Sequence, residues 1–140
     1  MNNPTIQPYL FFDGRCEEAI EYYKATLGAE VAMLLRFKDN PEPPRGDCPP
    51  SPPDKVMHAQ VRIGNMVIMM SDGRCGGAPK FEGFALTLNV ANEAEADKAF
   101  NALAQGGQAM MPLEKTFFSP RFGMVTDKMG VFWMVLTEAH

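Results

Sequence analysis

Two kinds of side chain in this 140-residue sequence carry recognisable chemistry. His58, in "VMHAQVRI", is one of two histidines; the other, His140, is terminal. A neutral imidazole can take a proton as a general base or donate a hydrogen bond that orients a ligand. It can equally be satisfied by a neighbour and do no chemistry. The cysteines are Cys16, Cys48 and Cys75. Their number is odd and none forms a C-x-x-C pair, so neither a disulfide framework nor a zinc knuckle is encoded. A thiolate nucleophile needs a nearby base or cation. Arg15 and Arg74 precede Cys16 and Cys75 within a twice-occurring "DGRC", but adjacency along the chain is a weak sign of contact.

The elements that must position these residues follow from periodicity. "VMHAQVRI" alternates, placing Met57, Ala59, Val61 and Ile63 on one face of a strand and His58, Gln60 and Arg62 on the other. "GN" then turns the chain into "MVIMMS", completing a hairpin. Upstream, residues 5–12 ("TIQPYLFF") read as a strand in which Pro8 suggests an edge or a bulge. On it Gln7, Tyr9 and Phe11 share a face. "CEEAIEYYKATLG" has Ala19, Ile20, Tyr23 and Leu27 at helical spacing, and "EVAMLLRF" is a further strand.

The second half repeats this order. "FALTLNV" is a strand, and "NEAEADKAFNALAQGG" a helix with Asn92 as N-cap and Gly106 or Gly107 as stop. "QAMMPLEK" is a strand, and "FGMVTD" and "VFWMVLT" form a hairpin. An offset of 78 aligns Leu10 with Leu88, Gly28 with Gly106 and Met33 with Met111. The last strands align at 65, Val67 with Phe132 and Met69 with Met134. The 13-residue discrepancy equals the length of "PEPPRGDCPPSPP" (41–53), whose seven prolines mark a stiff surface insertion. The two "DGRC" stretches lie 59 apart, matching neither offset, and read as two turns rather than two copies.

Composition excludes several classes. A net charge of -4 with scattered Lys and Arg is no nucleic-acid footprint. No apolar run approaches the ~20 residues of a membrane span, and no secretory signal opens the sequence. Cytoplasmic location and reduced thiols are expected.

The blocks "LFFDGRCEEAIEYYKATLGAE", "KVMHAQVRIGNMVIMMSD", "LNVANEAEADKAFNALAQGG" and "FGMVTDKMGVFWMV" cover nearly the whole chain outside the proline-rich loop. In this order they resemble the PhnB-like, glyoxalase- and bleomycin-resistance-related proteins of the vicinal oxygen chelate superfamily. The resemblance implies an α+β fold of two βαβββ modules forming a curved mixed sheet around a cleft, usually in a homodimer. Module one spans about 4–72, with the insertion at 41–53, and module two about 83–137. The superfamily's four metal positions, on the first and last strands of each module, fall at Gln7, Ala85, Met69 and Met134. An amide, a methyl group and two thioethers are a poor donor set for Zn, Ni, Mn or Fe(II), which need imidazole, carboxylate or thiolate. No metal and no organic cofactor are therefore expected. A histidine is common in PhnB-like proteins at the place of His58.

The expected cleft lining is Gln7, Tyr9, His58, Gln60, Met69, Phe118 and Met134: aromatic, thioether and amide groups with few charges. Eleven methionines suit flexible core filling and an adaptable apolar pocket alike. Arg121, beside Phe117 and Phe118, can bind a planar anion or remain a solvated turn residue. The expected function is metal-free binding of a small, partly apolar or aromatic molecule. The alternative is a lyase, isomerase or dioxygenase with His58 as base or ligand. Methyl transfer, linked to some relatives through a ubiquinone-biosynthesis domain name, is not expected, because no glycine-rich strand-to-helix turn or doubly wound pattern is present. Docking of a partner through the proline-rich loop is a further possibility.

Overall fold

The computed structural model describes residues 4–42, 52–73 and 79–138. The chain forms two compact units, Met1–Pro79 and Lys80–His140. Each carries one helix and one four-stranded mixed sheet, giving an α+β fold of two βαβββ repeats.

In the first unit β1 (Tyr9–Phe11), α1 (Cys16–Leu27), β2 (Glu30–Arg36), β3 (Val56–Ile63) and β4 (Met66–Ser71) make a sheet of order β1-β4-β3-β2. β1 runs parallel to β4 and the other pairs are antiparallel, so α1 serves as the crossover from one sheet edge to the other. Glu17 and Glu18 in its first turn complement the helix dipole. Gly28, at φ 68°, ends it in the left-handed conformation a glycine adopts freely, its N–H reaching the Tyr23 carbonyl. Ala19, Ile20 and Tyr23 are buried on α1, which packs against β3. Leu10, Ala59, Val61, Ile63, Ile68 and Met70 are buried in the sheet; alternation puts the residues between them on its other face.

The second unit repeats the plan with β5 (Leu86–Val90), α2 (Glu93–Ala104), β6 (Gln108–Glu114), β7 (Arg121–Thr126) and β8 (Phe132–Thr137), in the order β5-β8-β7-β6. Asn92 caps α2: its Oδ1 accepts the Glu95 N–H at 2.9 Å, and the Glu95 carboxylate accepts the Ala91 N–H at 3.1 Å. The strand register agrees with both sequence offsets. Tyr9 pairs with Met69 in the first unit and Thr87 with Met134 in the second, 78 and 65 residues further on.

Several details differ from the sequence reading. β1 is confined to Tyr9–Phe11, because Pro8 has no N–H for the ladder, although its carbonyl accepts the Met69 N–H. β5 begins at Leu86 rather than Phe84, and a 3₁₀ turn, Phe37–Asp39, follows β2. Met57 was expected on the buried face, but Val56 is buried and Met57 is half-buried. The ladder pairs Leu35 with His58 and Arg36 with Val56, leaving Met57 as a bulge that interrupts the alternation. Residues 43–51 of the proline-rich segment lie outside the described residues, as do Arg74, Cys75 and His140. Among the described residues no helix is long and apolar enough to cross a membrane.

Candidate functional site

The face of the first sheet opposite the buried core gathers four of the sequence-derived candidates. Residues directly opposite in a ladder share a face. Tyr9 pairs with Met69, Met69 with Gln60 and Gln60 with Met33, forming one row across all four strands. In the next row Phe11 pairs with Ser71 and His58 with Leu35.

Within these rows the Tyr9 Oη lies 2.8 Å from His58 Nδ1. The Gln60 amide nitrogen lies 3.5 Å from His58 Nε2. The Tyr9 ring stacks on Phe11, centroids 4.8 Å apart at 20°, which sets the direction of the phenol. Burial pushes the Tyr9 phenol above its ordinary range, so it keeps its proton. Ser71 Oγ donates to the Met57 carbonyl at 2.7 Å and accepts the Gly73 N–H at 2.9 Å. Its proton is thereby committed to the backbone at the bulge. Met33 and Leu35 remain 42% and 38% exposed, leaving an apolar floor open beside the polar pair. Further along this face, the cation Arg62 is paired with Glu30.

Sequence reasoning put Phe11 on the face of Gln7 and Tyr9 without naming it as a ligand contact, and did not include Met33, Leu35 and Ser71. Phe11 had a usable signal, its alternation with Tyr9. Met33 and Leu35 did not, because β2 and β3 pair with two register shifts that sequence periodicity does not reveal. Gln7 lies in the segment entering β1, two residues before Tyr9.

Phe118 and Met134 belong to the second unit. There Thr87, Met134, Met124 and Met111 form a row across the four strands. Phe118 lies edge-on to Phe122, centroids 5.0 Å apart, and Phe117 edge-on to Phe118 at 5.2 Å. Arg121 does not serve these aromatics. Its Nε lies at ion-pair distance from two α2 carboxylates, 3.6 Å from Glu93 and 3.4 Å from Asp97, which balance its charge without a hydrogen bond to Nε.

The cysteine option is corrected for Cys16. The residue is fully buried, and burial, with Asp72 and Glu17 nearby, pushes its thiol well above the ordinary range. Arg15 does not offset this, because its guanidinium pairs with Glu18 at 2.8 Å. Cys48 and Cys75 lie outside the described residues.

The residues at the implied metal positions do not fit a hard divalent ion. Met69 lies between Tyr9 and Gln60 in its row and offers a thioether, and the neighbouring Ile68 and Met70 are buried in the core. Met134 offers another thioether, and Ala85 has no donor. Among the described residues no three His, Cys, Asp or Glu side chains cluster as ligands.

Comparison with known proteins identifies the family and the fold. The family described as 3-demethylubiquinone-9 3-methyltransferase matches residues 4–136. Protein YjdN of Escherichia coli K12 is 39% identical over 136 residues, covering 93% of this chain and 92% of its own. The crystal structure of protein PA1353 from Pseudomonas aeruginosa is 42% identical with a TM-score of 0.83, covering 97% and 98% of the two chains. A putative 3-demethylubiquinone-9 3-methyltransferase, PhnB protein, from Bacillus cereus is 28% identical with a TM-score of 0.78, covering 96% and 99%. A glyoxylase/bleomycin resistance protein/dioxygenase domain from Frankia is 17% identical with a TM-score of 0.65, covering 99% and 100%, and shares the fold.

Proposed function

Because the chain belongs to the PhnB-like family described as 3-demethylubiquinone-9 3-methyltransferase, built on the glyoxalase/bleomycin-resistance fold, we propose that it binds a small, partly apolar or aromatic molecule without a metal. The observation that carries this reading is the 2.8 Å contact between Tyr9 and His58, with Gln60 beside them, on a face that also carries Phe11, Met33, Leu35 and Met69. A few polar groups among aromatic, aliphatic and thioether side chains are the usual composition of a small-molecule site, where apolar contact supplies affinity and the polar groups supply orientation. Thioethers adapt to irregular ligands and make favourable contacts with aromatic rings. Gln7 is proposed as a further contact of the same ligand, and Phe118 and Met134 as ligand contacts within the second unit.

The reaction in the family's description does not enter this reading. A fold carries many functions, and the two mixed sheets have no parallel doubly wound arrangement with a glycine-rich nucleotide turn among the described residues.

The test is a thermal-shift screen of small aromatic compounds, followed by titration calorimetry of the hits. A genuine ligand raises the melting temperature of the wild type and loses about tenfold in affinity in His58→Ala, roughly the value of one hydrogen bond. Circular dichroism of the variant should be unchanged. A screen without hits, or hits indifferent to His58→Ala and Tyr9→Phe, removes this reading.

A second reading, a lyase, isomerase or dioxygenase using His58 as base, draws on the same contact. An imidazole oriented at one nitrogen by a second group is a recurrent catalytic arrangement. It predicts turnover lost in His58→Ala with the fold intact.

A further inference from the structure

We infer that Tyr9, His58 and Gln60 form a hydrogen-bond chain running in one direction, and that it ends in N–H donors suited to an uncharged acceptor oxygen, a carbonyl or an ether, on the ligand. This rests on the ligand-binding reading of the first unit and names the chemistry that the bound molecule must bring.

The direction follows from the first contact. A neutral imidazole has one donor and one acceptor nitrogen, and the bond made by one fixes the other. At 2.8 Å, either the phenol donates to Nδ1 or Nδ1–H donates to the phenol oxygen. A phenolic O–H is the stronger acid of the two donors. The imidazole lone pair is the stronger base of the two acceptors, because phenolic lone pairs are delocalised into their ring. The phenol therefore donates, and burial, which keeps Tyr9 protonated, maintains that donor. Nδ1 is then an acceptor and Nε2 carries the proton.

The next link follows from Gln60. Its amide lies 3.5 Å from Nε2, so Nε2–H requires the amide oxygen, reached by turning the terminal torsion through half a revolution. That turn directs the Gln60 NH₂ away from His58. The 3.5 Å separation is long for a hydrogen bond, so Nε2–H can also transfer to a closer acceptor. The chain thus ends in a donor either way, the Gln60 NH₂ in the first arrangement and Nε2–H in the second. The nearby cation, Arg62, is held by Glu30, which favours an uncharged oxygen over a carboxylate. In this state His58 has no lone pair facing a ligand and does not act as a base.

The test is nitrogen NMR of the full-length protein labelled with ¹⁵N-histidine, at alkaline pH where imidazoles are neutral. His58 is assigned by the signals lost in His58→Ala. The expected wild-type pattern is a protonated Nε2 and an unprotonated Nδ1, with Nδ1 moving toward the position of a free imidazole nitrogen in Tyr9→Phe. Gln60→Glu should keep Nε2 protonated, since a carboxylate still accepts from it. In uniformly ¹⁵N-labelled protein, acetophenone should shift the Gln60 side-chain amide signals, assigned by their loss in Gln60→Glu, while ethylbenzene, lacking the oxygen, should not. A proton on Nδ1 in the wild type, or equal shifts from both probes, overturns the inference. The binding reading fails separately, through an empty ligand screen.

Discussion

The carboxylate of Asp72 accepts the backbone N–H of Cys16 at 2.9 Å and that of Gly14 at 2.7 Å through one oxygen. Its other oxygen accepts the Val56 N–H at 3.1 Å. The two "DGRC" stretches, unrelated as repeats, are thus partners: the aspartate of the second binds the backbone of the first. Arg15, at the N-cap position, makes no side-chain cap, so an anion from beyond β4 satisfies the start of α1. Asp72→Ala should cost about 2–3 kcal/mol, since it orphans three N–H groups. Urea denaturation checks this, and a loss below about 0.5 kcal/mol, the scale of an ordinary surface substitution, would show that water replaces the carboxylate.

Cys16 makes stability fall at alkaline pH. Its buried thiol holds its proton more tightly folded than unfolded. Its contribution is complete below the ordinary thiol range near about 8.5 and is lost as pH rises above it, at up to about 1.4 kcal/mol per unit. Subtracting the stability of Cys16→Ala from that of the wild type between about pH 8 and 10 isolates this thiol from the other titrating groups. A difference that stays flat over that range contradicts the burial argument.

Asp127 organises the β7–β8 turn. Its Oδ1 accepts from Met129 at 2.8 Å and Val131 at 3.1 Å, and its Oδ2 from the Trp133 indole at 2.8 Å, all buried. Asp127→Asn places an NH₂ against one set of these donors and should destabilise by about 2–4 kcal/mol. Trp133 is the sole tryptophan, so a red shift of its emission reports the loss directly.

Gly123 lies within β7 because α2 and β6 leave no room for a side chain. A Cβ there would come 2.8 Å from Phe100, 3.0 Å from the Met111 carbonyl and 3.1 Å from Leu113. Gly123→Ala should therefore destabilise by about 1–3 kcal/mol, where an unhindered strand position would gain from the added methyl. Thermal or urea unfolding of this variant decides the sign.

Metal content follows from the donor set. Elemental mass spectrometry of untagged protein purified without chelator should find divalent metal far below one per chain, including after a reloading step. Metal near one per chain would falsify the placement of thioethers at the ligand positions and bring Gln7 and His58 into consideration as ligands.

Much of this protein follows from the one-dimensional pattern. The alternation of "VMHAQVRI", the helical spacing in α1 and α2, the Asn92 cap and the two offsets are local or repeated signals, and they determined the doubled βαβββ order and the faces of Tyr9, His58 and Gln60. The remaining contacts depend on distances across the chain. The register of β2 against β3 contains two shifts, so periodicity could not reveal that Met33 and Leu35 flank Gln60 and His58 or that Met57 leaves the buried face. Arg121 next to phenylalanines in sequence is matched in space with carboxylates from α2. Likewise the link from Asp72 to Gly14 spans 58 residues and comes from packing β4 beside the start of α1. Local energetics are written in neighbouring residues, whereas ion pairing, capping at a distance and cross-strand rows arise only when separate elements are buried against one another.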